Sequence, residues 1–137
     1  MTTDAQRYEA PATLLEGRNI LVTGAGDGIG RAAAECFATH GATVVLLGRT
    51  LAKLESCYDT IIDSGAPQPV IQVLDLARAS ESDYAALAET LTAELGCLHG
   101  LLHNAALLGP QTPLGQYPLE QWREVMKVNV EAAFVLT

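Results

Sequence analysis

The chain is short of aromatic residues, of basic residues and of any long apolar run. Aromatics make up 5% of its 137 residues, with one Trp and two Phe, although 49% of the residues are hydrophobic. The core is therefore built from Ala, Leu, Val and Gly, side chains that let sheet and helix layers pack closely, and the length is that of one domain. Lys and Arg number 8 against 16 Asp and Glu, a net charge of −8, which argues against nucleic acid or an anionic membrane as a partner. The acidic residues are spread along the chain rather than gathered in a tail, as on a solvated surface. No apolar run approaches the roughly 18 residues of a membrane span. The start, MTTDAQRYEAP, lacks the basic-then-apolar signature of a signal peptide. Cys36, Cys57 and Cys97 are odd in number and far apart, with no Cys-x-x-Cys or Cys/His spacing for zinc and no disulfide framework. They read as reduced, mostly buried thiols, and the expected location is the cytoplasm. Internal repeats and low-complexity segments are absent.

What is present centres on residues 19–31, NILVTGAGDGIGR. An apolar run ending in Thr23 has the look of a buried strand. Gly24, Gly26, Gly28 and Gly30 crowd the next seven positions, and an Ala-rich helical segment follows to His40, with Gly41 as its stop. Strand, glycine turn and helix in that order make a phosphate site. The glycines allow a sharp turn and close approach, and the helix N-terminus offers free N–H groups and a positive dipole end. The spacing is not Gly-x-Gly-x-x-Gly, because Ile29 takes the third glycine slot.

Further along, residues 43–47 (TVVLL) form a continuous apolar run, the pattern of a strand covered on both faces. Thr50 can cap the next helix, in which Leu51, Leu54, Tyr58, Ile61 and Ile62 recur at helical spacing until Gly65. A third strand is expected over 70–74. Ser80 and Asp83 form a variant capping box, ahead of a stripe of Tyr84, Leu87, Ala88, Leu91 and Leu95. A fourth strand is expected over 98–103, then a Gly/Pro-rich loop and a last helix from about Leu119. That helix is apolar round most of its circumference, which predicts burial on more than one side. The order βαβαβαβα, with short connections, predicts a doubly wound parallel sheet of Rossmann-like α/β type over residues 18–137, preceded by a flexible arm over 1–17. Ligands of such sheets lie at the carboxyl ends of the strands, where the strand order reverses.

The pattern Thr-Gly-x-x-x-Gly-x-Gly, carried by Thr23, Gly24, Gly28 and Gly30, resembles the short-chain dehydrogenase/reductase family, most closely its bacterial NAD(P)-dependent oxidoreductases. The resemblance implies a cofactor-binding turn made by Thr23, Gly24, Asp27, Gly28, Ile29 and Gly30. At the end of the second strand an acid would hold a ribose 2′-hydroxyl. Here Gly48 stands in its place and Arg49 follows, so no acid at this strand end repels a 2′-phosphate and a guanidinium can pair with one. This favours NADP, with NAD the second candidate. Asp27 disagrees, since NADP-preferring relatives often carry a basic residue there; it can repel the phosphate or pair with Arg49. Asp75 and Leu76, after the third strand, correspond to the family's adenine contact, and Asp75 alternatively turns the chain. His103, Asn104, Ala105 and Ala106 align with the family's Asn-Asn-Ala-Gly segment, matched at Asn104 and Ala105 only. Ala105 and Ala106 are small enough for the nicotinamide ribose to pass close by, and Asn104 can tie strand ends together. His103 reads as a strand-end histidine making structural hydrogen bonds, and His40 and His99 have no partner pattern. Asn129, within Val128-Asn129-Val130, matches the asparagine that helps hold a water in the family's proton relay; backbone bonding is the plainer alternative.

The family's Ser and Tyr-x-x-x-Lys, which polarise the substrate and act as general acid and base, have no match. Tyr8, Tyr58, Tyr84 and Tyr117 are not followed by Lys four residues later. The expectation is therefore the N-terminal, cofactor-binding half of an oxidoreductase that moves hydride between a nicotinamide and a carbonyl or alcohol substrate. On that expectation the 137 residues are a truncated product or a partial record, inactive alone, and the full-length protein is a homo-oligomer. The alternative of another class is a non-catalytic dinucleotide-sensing module. A methyltransferase-type domain is disfavoured, because its ribose would require an acid where Gly48 stands.

Overall fold

A computed structural model describes residues 8–137. Four strands, β1 (Asn19–Thr23), β2 (Thr43–Gly48), β3 (Val70–Val73) and β4 (Gly100–Leu102), pair in parallel in the order β3-β2-β1-β4. Helices α1 (Gly28–Thr39), α2 (Leu51–Asp63) and α3 (Glu81–Leu95) connect them, and α4 (Leu119–Met126) follows β4. The order reverses between β1, from which β2 and β3 run one way, and β4, which lies on the other side of β1. That break is the switch point the element order predicts.

Alternate strand residues feed two cores. Ile20, Val22, Val44 and Leu46 pack with Ala34 and Ala38 of α1 and Leu54, Cys57 and Ile61 of α2. Leu21, Val45 and Leu47 pack on the other face with Tyr84, Leu87 and Leu91 of α3 and with Val128 and Ala132. Burial on both faces is why β1 and β2 read as unbroken apolar runs. The alanines let α1 approach the sheet without bulky side chains. Arg31 of α1 pairs with Glu35 at 2.7 Å and donates to Ser56 Oγ and Thr60 Oγ1, crossing to α2.

Several boundaries differ from the expected ones, each for a side-chain reason. Helix α1 begins at Gly28, two residues early, because the Asp27 carboxylate accepts the Gly28 N–H at 2.8 Å as N-cap. Strand β4 is shorter at both ends than 98–103. The Asn19 N–H goes to His99 Nδ1 at 3.0 Å, so the ladder opens only at Ile20 with Gly100. At the far end Thr23 Oγ1 takes the Asn104 N–H, and the ladder closes at Val22 with Leu102. His99, without a partner pattern in the sequence, thus frames one end of the strand. Strand β3 stops at Val73, one residue short, though Leu74 still donates to Gly48. Thr50 occupies the N-cap of α2 but makes no side-chain cap bond, whereas Ser80 and Asp83 form the expected box at α3.

Of the expected arm, residues 1–7 lie outside the described residues. Residues 12–17 form turns, and Leu15 donates to the His40 carbonyl at 2.8 Å and packs on the α1/α2 core. Only Cys57 is buried; Cys36 and Cys97 are exposed, contrary to the expectation that most thiols are hidden. The last helix is also not continuous. Helix α4 passes through a π turn at Lys127–Glu131 before α5 (Ala132–Leu136), and among these residues only Val128 and Ala132 are buried. Trp122, Val130 and Phe134 are exposed, Phe134 at 82%, so a single stripe of this helix meets the sheet and the rest of its apolar circumference is uncovered. No helix among the described residues is long and apolar enough to cross a membrane.

Candidate functional site

The carboxyl ends of all four strands open on one cleft of about 400 Å³. Its wall on one side is the glycine turn. Gly24 has φ +68°, a conformation that L side chains rarely adopt, and a Cβ there would stand 2.9 Å from the Asn104 amide nitrogen. Gly30, buried at the start of α1, lies so close to the Gly24 carbonyl and the Asn104 amide that a side chain would collide with both. The turn is tied to β2 by Ala25 N–H to the Leu47 carbonyl, 3.1 Å.

Behind the turn, Thr23 and Asn104 make a polar knot between β1 and β4. Thr23 is 2% exposed, and its Oγ1 accepts from the N–H groups of Asn104 and Ala105, both at 3.0 Å. The Asn104 amide donates back to the carbonyls of Thr23 (3.1 Å) and Gly24 (3.3 Å). Asn104 thus ties the strand ends together as expected, and the bonds fix the backbone of Ala105 at the cleft floor.

Gly24, Asp27, Arg49, Asp75, Leu76, Asn104, Ala105 and Ala106 all line this cleft. Thr23 and Gly30 support it from below, Ile29 stands 81% exposed at the N-terminus of α1, and Gly28 gives its N–H to Asp27. Asp75, half-buried, turns the chain, accepting the Ala77 N–H at 3.0 Å, and its second oxygen lies 3.6 Å from Arg78 Nε. His103 bonds Thr137 Oγ1 at 2.9 Å, in keeping with a structural role.

Asn129 lies apart from this cleft, on a smaller cavity of about 50 Å³ shared with Thr23 and His103. Its amide closes a two-point clamp on one backbone unit, accepting the Leu107 N–H at 2.7 Å and donating to the Leu107 carbonyl at 2.9 Å. The side chain sits inside the π turn, a departure from α geometry common at functional sites.

Lys53 is the site residue that the sequence reading missed. Its ammonium lies 2.6 Å from Asp27 across the mouth of the cleft, so Asp27 pairs with Lys53 and not with Arg49. The sequence carries no local signal for it, because Arg49 precedes the N-cap Thr50 and shares no helix face with Lys53. The hydrogen bond from Lys53, and then that from Gly28, hold the Asp27 carboxyl below the usual carboxylate range. No His, Cys, Asp and Glu cluster suited to a metal occurs among the described residues.

The cleft fits a nicotinamide dinucleotide. The turn admits close backbone approach, no acid guards the end of β2, and two cations stand at its mouth. The short chain dehydrogenase family model matches residues 18–137. An Escherichia coli protein, uncharacterized oxidoreductase YciK, is 43% identical over 130 residues, covering 95% of this chain and 52% of its own length. A short-chain dehydrogenase structure from Pseudomonas syringae superposes with a TM-score of 0.92 at 54% identity, over 95% of this chain and 54% of that one. Another, from Escherichia coli and complexed with NADPH, gives 0.87 at 44% identity, over 93% and 53%. The chain spans about half the length of these relatives. It belongs to the short-chain dehydrogenase family of oxidoreductases.

Proposed function

We propose that these residues form the cofactor-holding half of an NADP(H)-dependent oxidoreductase that interconverts a carbonyl and an alcohol. The observation that carries this reading is the mouth of the cleft at β2, where Gly48 leaves no acid to hold a ribose hydroxyl and Arg49 supplies a guanidinium. The NADPH complex of a 44% identical relative supports it. In this reading the N-terminus of α1 and the Gly24 turn hold the pyrophosphate, Arg49 the 2′-phosphate, and Asp75 and Leu76 the adenine. Ala105 and Ala106 give the nicotinamide ribose room. When bound, the cofactor donates or accepts the hydride.

Asn129 is, on this proposal, a positioning residue. Its clamp holds Leu107, and with it the segment from Asn104 that lines the cleft. The 137-residue chain binds the cofactor weakly and gives no turnover, because none of its tyrosines is followed by Lys four residues later. The whole protein is a cytoplasmic homo-oligomer, a reading supported by the three free thiols and the uncovered apolar face of α4 and α5.

Titration of the chain with NADPH, NADH and S-adenosylmethionine tests the proposal. Saturable binding of NADPH, weaker binding of NADH and none of the sulfonium compound is the expected result. Equal affinity for NADPH and NADH would remove Arg49 from its assigned role, and binding of none would remove the site.

A further inference from the structure

We infer that Lys53 is a ligand of the cofactor's 2′-phosphate, held on Asp27 until the phosphate arrives, and that Asp27 thereby limits the preference for the phosphorylated dinucleotide. The inference rests on the proposal that the cleft takes a nicotinamide dinucleotide, and goes beyond it by adding a second cation and a competing anion. Lys53 lies in the first turn of α2 and lines the cleft together with Arg49 and Thr50. Its stem runs against Gly26, where an added Cβ would stand 2.9 Å from the Lys53 Cβ. The glycine turn thus leaves a slot for the lysine, and the ammonium reaches Asp27 at 2.6 Å.

The pair is solvated, with side chains 55% and 75% exposed for Lys53 and Asp27, so it is weakly held and open to exchange. A phosphate monoester near neutral pH carries about −1.5 to −2 charges and three acceptor oxygens, against one charge on a carboxylate. Placed between Arg49 and Lys53, it outcompetes Asp27 for the ammonium. Arg49 makes no hydrogen bond or ion pair among the described residues, and both cations line the cleft. Asp27 need not move, since the Gly28 N–H retains its carboxylate as the N-cap of α1. Only a flexible lysine swings. Asp27 therefore opposes phosphate binding twice, by holding Lys53 and by like charge.

The test is an NMR titration of the 137-residue chain with adenosine 2′,5′-bisphosphate and with AMP, which differ only in the 2′-phosphate. The wild-type chain binds the bisphosphate about tenfold more tightly than AMP, the size of one charge-assisted hydrogen bond. Lys53→Met lowers that ratio, leaving the share that Arg49 holds, and Lys53→Arg restores it. Asp27→Asn, which keeps a capping side chain, raises the ratio about threefold by the same reasoning. An unchanged ratio in Lys53→Met, or a lower one in Asp27→Asn, overturns the inference while leaving the dinucleotide site intact. Failure of both nucleotides to bind the wild-type chain overturns the site and the inference together.

Discussion

Thr23 carries more hydrogen bonds than any other side chain at the strand ends, and its hydroxyl is nearly inaccessible. It accepts from two consecutive N–H groups and lies 3.4 Å from the Leu102 carbonyl. Thr23→Val keeps the shape and deletes the acceptor. Leaving those two half-buried donors unpaired costs about 1–3 kcal/mol, measurable as a lower midpoint in urea with an unchanged slope. Asp83 offers a second residue-scale prediction. Its carboxylate accepts from the Ser80 hydroxyl at 2.7 Å and N–H at 2.8 Å, which hold its pKa below the ordinary carboxylate value of 3.8. The folded state therefore favours the ionised form, so the gain is fully present above the unfolded pKa and fades as pH falls through the lowered folded one. Asp83→Asn is accordingly expected to destabilise at neutral pH and to match the wild type in acid, read from thermal melts across pH 2–6. Residues of this kind were partly legible in the sequence. Gly24 and Gly30 announce themselves because few other residues tolerate the turn. Lys53 does not, because its partner is 26 positions away and nothing local marks a lysine as facing a cleft.

At the scale of elements, strand cores were readable and strand ends were not. Continuous apolar runs locate β1 and β2, since both faces are covered. The limits of β4 depend on His99 and Thr23, side chains that capture ladder donors, and a sequence pattern contains no record of that competition. The same holds for the last helix. Its apolar residues announce a helix, but the π turn accompanies the Asn129 clamp on Leu107, a contact across 22 residues. Asn129→Ala removes both bonds of that clamp. Hydrogen exchange at the Leu107 amide is expected to accelerate by about tenfold or more, the equivalent of one lost hydrogen bond of roughly 1.4 kcal/mol, while the amides of β1 and β2 keep their protection. Acceleration spread evenly over the sheet would mean instead that Asn129 holds the fold as a whole.

For the whole molecule, the parallel order β3-β2-β1-β4 places four strand ends at one edge and so gathers residues spread from Gly24 to Val128 into one cleft. That much of the site followed from element order alone, because the topology determines where strand ends converge. What the topology does not determine is the covering of the α4–α5 face. Phe134, Trp122 and Val130 stand in water there, an apolar surface of the kind that marks an interaction site. If self-association uses this face, Phe134→Glu lowers the concentration-dependent sedimentation of the chain without changing its thermal midpoint by more than a degree or two. Sedimentation identical to that of the wild type would detach oligomerisation from this helix. The central claim, that the strand-end cleft receives an NADP-type dinucleotide, is tested most directly by amide chemical-shift mapping during titration with NADPH. The account predicts the largest shifts at Gly24, Arg49, Asp75 and Ala105, with little change at Val130 and Phe134. Shifts centred on α4 and α5, with Gly24 and Arg49 unmoved, would contradict it.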